Sequence, residues 1–572
     1  MPKIDVQEKL FFDLVGKNLS LEELEALLTV AKAELDEKPD MSQKPEERTI
    51  KIELNDTNRP DLWSTAGLAR QLKTYLSGTM PAYSFLSAEG NLQKAKYSVT
   101  VDASVQEVRP YLSAFVVSGK PITDAMLRDT IQTQEKLCWN FGRKRKSVSM
   151  GLYRISLISW PVTYHAVDPL SASFAPLGYE KIMNLAEILA EHPKGKEYGH
   201  ILKGNKRYPL LSDSKGRILS FPPIINSNDI GAVQVGDTDL LVEFTGTDMV
   251  SVALSASIVA CDFADVGYTI EPVEVHYAFD TPMGKSQVYP FYFQLPATVD
   301  LSRASALLGK SISADKAREA LTHMGVESEI HGQYVKAWPP VYRNDFLHQV
   351  DLIEDIMIGI GLDQFEPEKP KDFTIGRLTP IEEFSRLVKN IMVGLGFQEM
   401  IYNYLGSRRD FIEKMGLTDA GVIRIANPMT ENYEYVRPSI LPCLLQSESV
   451  SAKAVYPHRI FEIGKVAFID HSFNTHTSTR QRLAFLTAHG VADFNEAANT
   501  VSVLAYYLGV PYEVQPSHDT RFIPGRQAQL MLNGKPVGIF GEVYPQVLEN
   551  WDITMPCVAG EFDLEFILQE KR

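Results

Sequence analysis

The chain reads as a multidomain α+β protein, and three features of the sequence predict this. Apolar residues recur at helical spacing in separate segments, and short runs between them alternate with a period of two. A charged, proline-rich joint, FEPEKPKD (Phe365 to Asp372), then divides the chain. With 572 residues and 44% apolar content, the chain is long enough for three or four domains. The expected divisions are an N-terminal α/β module at 1–97, a mixed α/β module at 98–272, a linker strand with a helix-rich module at 273–368, and a final α/β region at 369–572.

In chain order, Ser20 and Glu23 form a capping box that opens a first helix, with Leu24, Leu27, Leu28, Ala31 and Leu35 on one stripe. The polar, proline-containing stretch from Asp36 to Glu47 reads as a loop. Residues 98–272 mix short alternating strands with helices, and TIEPVEVHY (Thr269 to Tyr277) reads as a strand closing that region. Residues 291–365 are expected to be helix-rich, with Leu301, Ala304, Leu307 and Leu308 on one face. The apolar segment SILPCLLQS (Ser439 to Ser447) suits a helix buried in its own core. No internal repeat is found.

Composition narrows the function classes. The net charge of −15 gives no global basic character, so any RNA contact must be local. Four scattered cysteines, Cys138, Cys261, Cys443 and Cys557, form no CxxC pair, which argues against zinc and fits a reducing cytoplasm. The longest apolar run, Val250 to Cys261, is too short to cross a bilayer, and the N-terminus lacks a signal-peptide core. GxxxxGK[ST], HExxH and GxSxG are all absent. Arg143-Lys144-Arg145-Lys146, flanked by Trp139 and Phe141, is the best local candidate for phosphate contact with base stacking; a solvated loop is the plainer reading.

The densest charged feature is PPVYRNDFLHQVDLIEDIMIGIGLD (Pro339 to Asp363). Val350, Ile353, Met357 and Ile360 mark the expected buried side of a helix, while Asp351, Glu354 and Asp355 share another face, with Asp345 just upstream. Like charges so spaced repel and call for a cation, and an oxygen-only donor set favours Mg2+ or Ca2+. The alternative is an exposed acidic face with Asp345 as helix N-cap.

Nine blocks, in order, resemble the phenylalanine-tRNA ligase beta-subunit family. Beside the acidic helix, which resembles the family's metal-bearing module, they include NDTNRPDLWSTAGLAR (Asn55 to Arg70), VRPY (Val108 to Tyr111), QEKLCWNFGRKRKSVSMG (Gln134 to Gly151), FPPIINSND (Phe221 to Asp229), FTGTD (Phe244 to Asp248), IANPMTENYEYVRPSILPCLL (Ile425 to Leu445) and RIFEIGKVAF (Arg459 to Phe468). The resemblance implies a tRNA-editing-like module at 98–272, a metal-bearing helical module, and a catalytically inactive antiparallel class II synthetase-like domain at 369–572. It implies Mg2+ at Asp345, Asp351, Glu354 and Asp355. It also implies an alpha subunit, in an alpha2beta2 heterotetramer, that uses ATP and phenylalanine to charge tRNA(Phe). The length of the chain resembles the archaeal and eukaryotic type, for which no C-terminal RNA-binding domain of the longer forms is expected.

Resemblance to that branch carries the editing residues onto Leu211, Ser220, Glu243 and Thr245. Glu243 would accept a hydrogen bond from the phenol of a misattached tyrosine, Ser220 and Thr245 would position ester or water, and Leu211 would line the wall. Such a site is needed because a large apolar pocket cannot strongly reject an added hydroxyl by binding alone. Two departures stand out: Glu243 where aspartate is expected, and Tyr153-Arg154 where relatives place histidine and aspartate, so no function is carried onto that loop. Read without the resemblance, Glu243 and Thr245 alternate with Val242 and Phe244 as on any amphipathic strand, and Ser220 suits a turn. Arg437, Arg459 and Arg526 match no phosphate motif and read as surface or subunit-contact arginines. The rivals are a free-standing tRNA-binding or editing protein, and a metal-dependent hydrolase on the acidic helix.

Overall fold

The computed structural model describes residues 2–86, 95–418 and 421–571, in two compact units, 1–368 and 369–572. In the first unit, helix α1 (Glu8–Val15) precedes α2 (Leu21–Leu28), which carries the Ser20/Glu23 capping box. The stripe expected to run on to Leu35 does not stay helical. After Ala31 the chain turns through Lys32 at φ 50°, and Leu35 lies on a strand. That strand, β2 (Ala33–Glu37), forms an antiparallel sheet in the order β1-β3-β2 with β1 (Lys3–Gln7) and β3 (Thr49–Leu54). Helix α3 (Thr65–Ser77) follows.

The middle of the unit is one ten-stranded sheet. Its strands are β4 (Tyr97–Val101), β5 (Tyr111–Ser118), β6 (Val148–Arg154), β7 (Val162–Val167), β8 (Tyr208–Ser212), β9 (Ile218–Phe221), β10 (Ile225–Asn226), β11 (Leu240–Gly246), β12 (Thr269–Tyr277) and β13 (Ser286–Tyr289). The order is β10-β9-β8-β7-β4-β12-β5-β11-β6, with β13 beside β12. The sheet therefore runs past residue 272, and β12 lies inside it. β11 is buried along its whole length between β5 and β6. Phe244 and Val242 face one core and Leu241 another, so this is a central strand and not an amphipathic surface one. Helix α4 (Asp124–Lys136) precedes β6, and α5 (Met249–Asp265) covers β5 and β11.

A buried arginine closes the seam between the first two modules. Arg70 on α3 pairs with Asp262 at 3.2 Å and Asp265 at 2.6 Å on α5. Arg59 and Asp61 form a buried two-bond pair, with Gln71 as a further acceptor. Much of the Asn55 to Arg70 block is thus structural.

Residues 291–365 hold a three-stranded sheet as well as helices. Strands β14 (Ala297–Asp300), β15 (Glu327–His331) and β16 (Tyr334–Trp338) pair in the order β14-β16-β15. Helices α6 (Leu301–Leu308), α7 (Ala314–His323) and α8 (Gln349–Ile360) complete the module. On α6, Leu301 and Ala304 are buried, but Leu307 is 63% exposed.

The second unit is built on a seven-stranded sheet, antiparallel except where its short first strand pairs parallel with the next. It carries α9 (Pro380–Gly394), α10 (Leu441–Val450) and α11 (Phe494–Leu508). Leu441, Cys443, Leu444 and Leu445 on α10 are buried, so this helix belongs to its unit's core. All four cysteines are free and buried; burial pushes the Cys138 and Cys443 thiols up to about 11 each. Among the described residues no helix is long and apolar enough to cross a membrane.

Close packing of α8 on α7 depends on Gly359, where a Cβ would meet the Ala320 carbonyl oxygen at 2.2 Å. Gly359→Ala should destabilise the protein by about 1–3 kcal/mol, read as a lower urea midpoint, because backbone cannot yield as a side chain would.

Candidate functional site

Two clusters gather the residues singled out in the sequence. The first is the acidic helix. The N-cap of α8 is His348 and not Asp345, and Asp351 closes the capping box, its Oδ2 accepting from the backbone N–H groups of Leu347 and His348. The buried side is Leu352, Ile353, Ile356 and Ile358, rotated from the expected stripe: Val350 is 39% exposed, and Asp355 lies inward. The reason is Arg343. Its buried guanidinium reaches Asp345 at 2.7 Å and Asp355 at 2.6 Å, so an apolar face must open to admit a carboxylate. Glu354, on the outer side, is held at 2.7 Å by Lys32, which also pairs with Asp56.

Burial acts differently on the two aspartates. For Asp345, burial pushes the carboxyl up, but the Arg343 charge, its hydrogen bonds and the Arg59 charge together hold it below the usual value. For Asp355, burial prevails over Arg343 and the carboxyl sits above it. Asp345, Asp351, Glu354 and Asp355 line a cavity of about 10 Å3, room for one water-sized particle. Asp56 joins them, making five carboxylates against three cations, Lys32, Arg59 and Arg343. An excess of two negative charges and an all-oxygen donor set fit a hard divalent cation in kind. The side chains do not already converge: among the described residues, no three of His, Cys, Asp or Glu are grouped as a metal site.

The second cluster lies between β6, β9 and β11, at a cavity of about 430 Å3 lined by Ser220 and Glu243 together with Met150, Leu152 and Phe221. Arg145 and Lys194 also reach this cavity. Glu243 is 3% exposed; burial pushes its carboxyl up to about 7, although a hydrogen bond from Tyr153 and the Arg109 charge oppose the rise. The Tyr153 hydroxyl is 2.8 Å from both Glu243 Oε1 and Ser220 Oγ, leaving Glu243 Oε2 buried without a partner. Tyr153, set aside in the sequence, is therefore part of the cluster.

The other two sequence candidates sit deeper. Leu211 is in register with Ser220 on the neighbouring strand, but it is 1% exposed within the core behind the sheet and does not line the cavity. Thr245 is fully buried; its hydroxyl accepts from Arg109 Nε at 3.0 Å and lies 2.9 Å from Ser149 Oγ. Arg109, from the VRPY block, also donates to the Lys146 carbonyl and so ties the basic loop to β11. In that loop Arg145 is half-buried, donating to the Pro223 and Ile224 carbonyls and stacking 4.3 Å from the Tyr198 ring. Arg143, Lys144 and Lys146 are exposed.

The unplaced arginines of the second unit have partners. Arg437 is fully buried and bound by Glu462 through two bonds of 2.8 and 2.9 Å, so it is no surface residue. Arg459 pairs with Glu496 at 3.0 Å and Arg526 with Glu542 at 2.7 Å.

Comparison with known proteins decides the family. The chain is 47% identical over 571 residues to the phenylalanine--tRNA ligase beta subunit of Borreliella burgdorferi (strain ZS7), covering 99% of this chain and 100% of that protein. It belongs to the phenylalanine--tRNA ligase beta-subunit family. The beta subunit of Borrelia hermsii (strain HS1 / DAH) is 48% identical over 571 residues, with the same coverage. Residues 1–78 match the Phe-tRNA synthetase beta subunit B1 domain, 297–362 the tRNA synthetase B5 domain, and 367–564 the phenylalanyl tRNA synthetase beta chain CLM domain. A crystal structure of an N-terminal fragment of the Pyrococcus horikoshii phenylalanyl-tRNA synthetase beta subunit superposes with a TM-score of 0.58 at 35% identity, covering 63% of this chain and 100% of that fragment. As a member of the family, the chain is a subunit of an aminoacyl-tRNA ligase.

Removing Arg343 would strand two buried carboxylates. Arg343→Ala should cost about 3–5 kcal/mol, measured by denaturant unfolding.

Proposed function

We propose that this chain works in the cytoplasm within a phenylalanine-tRNA ligase whose synthetic centre lies in an alpha subunit, and that its own chemistry is the hydrolysis of Tyr-tRNA(Phe). The observation that carries the editing reading is Glu243: a buried carboxylate with one unpartnered oxygen, at a largely apolar cavity large enough for an aromatic side chain. A phenol entering that cavity satisfies Oε2, whereas phenylalanine leaves it orphaned, a difference of about 1–3 kcal/mol. Ser220 lies beside the carboxylate. Thr245 acts from behind by fixing Arg109, and Leu211 supports the strand that carries Ser220.

The alpha subunit supplies ATP and phenylalanine chemistry, and the two chains assemble as an alpha2beta2 heterotetramer that binds tRNA(Phe). The antiparallel second unit reads as a class II synthetase-like platform without synthetic chemistry. Its paired arginines support this, since Arg437, Arg459 and Arg526 are engaged by Glu462, Glu496 and Glu542 and are not free to hold ATP phosphates. Arg143, Lys144 and Lys146 are the candidate tRNA contacts.

Mg2+ would be held by Asp345, Asp351, Glu354 and Asp355, supplying structural charge compensation at the junction of α8 with the Lys32 turn. Those residues, with Arg343 and Lys32, already knit that junction.

In the complex, Glu243→Ala should reduce Tyr-tRNA(Phe) hydrolysis by roughly ten- to a hundredfold while leaving tRNA charging intact; unchanged hydrolysis refutes the editing role. Asp351→Asn combined with Glu354→Gln should abolish calorimetric Mg2+ binding and weaken co-purification with the alpha subunit. An unaltered Mg2+ isotherm would remove the metal assignment.

A further inference from the structure

Two buried polar side chains of the second cluster, Glu243 and Tyr153, meet at 2.8 Å. Register explains the meeting. Glu243 on β11 lies opposite Gly151 on β6, two residues before Tyr153, so both side chains project to the same face of the sheet. Gly151 makes the contact sterically feasible, because a Cβ there would lie 2.2 Å from the Tyr153 hydroxyl and 2.6 Å from Glu243 Oε1. A phenol has one proton. With that proton on Oε1, the Tyr153 oxygen accepts from the Ser220 hydroxyl, forming a chain from Ser220 through Tyr153 to Glu243.

We propose that Tyr153 is the positioning and specificity-determining residue of the editing pocket: it occupies Glu243 Oε1, so that Oε2 alone reads the hydroxyl of the misattached tyrosine. The inference rests on the editing reading above and adds the residue that orients its carboxylate. Tyr153 is fully buried and its hydroxyl is held far above its ordinary pKa, chiefly by burial, so it remains a donor throughout the working pH range. The other titratable groups acting on Glu243 are the Arg109 guanidinium, which favours its ionised form, and Tyr164 and Cys138, both kept neutral by burial. Tyr153 stabilises the ionised carboxylate by donating to it. Loss of that bond therefore raises the pH at which Glu243 ionises.

The test compares hydrolysis of Tyr-tRNA(Phe) and Phe-tRNA(Phe) by the alpha–beta complex across pH 6 to 9, roughly. Taking the ratio of the two rates cancels the intrinsic pH dependence of ester hydrolysis. For the unaltered protein the ratio should rise with pH through about 7, as Glu243 ionises. Tyr153→Phe should lower the plateau ratio roughly tenfold and move its inflection upward, with the complex still assembled. A ratio and inflection that both stay put, while Glu243→Ala still collapses hydrolysis, overturn the role of Tyr153 and spare the editing site. Insensitivity to both variants overturns the editing reading itself. Should Tyr153→Phe fail to assemble, Glu243→Asp draws the carboxylate away from Tyr153 and must lower the ratio too; an unchanged ratio refutes the inference.

Discussion

A guanidinium sealed from water cannot tolerate the loss of its partners, and Arg343 sets that condition for the first unit. Its two aspartates come from either side of the turn into α8, and Arg59 with Asp61, and Lys32 with Glu354, are packed around the same small cavity. Arg70 repeats the device against Asp262 and Asp265. Arg70 thus ties the first module to the second and Lys32 ties it to the third, while Arg343 and Arg59 fix the local geometry on either side, setting orientation more than adding stability. Apolar contact alone would permit sliding. A buried fork with matched carboxylates permits one register.

The ten-stranded sheet inherits its frame from those seams. β11 has apolar cores on both faces, an environment in which a carboxylate is costly. Glu243 persists there because one oxygen has Tyr153 and the charge of buried Arg109 favours its ionised form. The oxygen left over is the chemically interesting one, since unsatisfied polarity at a cavity is a demand that only a suitable guest meets.

Local signals in the sequence translated well into structure where the physics was local. The Ser20/Glu23 capping box, the Thr269–Tyr277 strand and the buried helix Leu441–Val450 all follow from neighbours in sequence. Signals that depend on distant partners did not. The α8 stripe was misplaced because Arg343 draws Asp355 inward, and Leu35 left its helix because Lys32 turns the chain into β2. Leu211 and Thr245 were legible as part of the right neighbourhood but not as lying behind the cavity. Tyr153 and Arg109 received no role from the sequence because theirs come from strand register and contacts 90 and 136 residues away, and no spacing rule reaches that far.

The cysteines carry a practical consequence. All four thiols are shielded and held in the unreactive protonated form, two in each unit. A maleimide or iodoacetamide label can reach them only when the surrounding structure opens. The rates at which Cys138 and Cys261 are alkylated, set beside those of Cys443 and Cys557, give each half of the polypeptide a native clock for its own breathing, with no engineered probe.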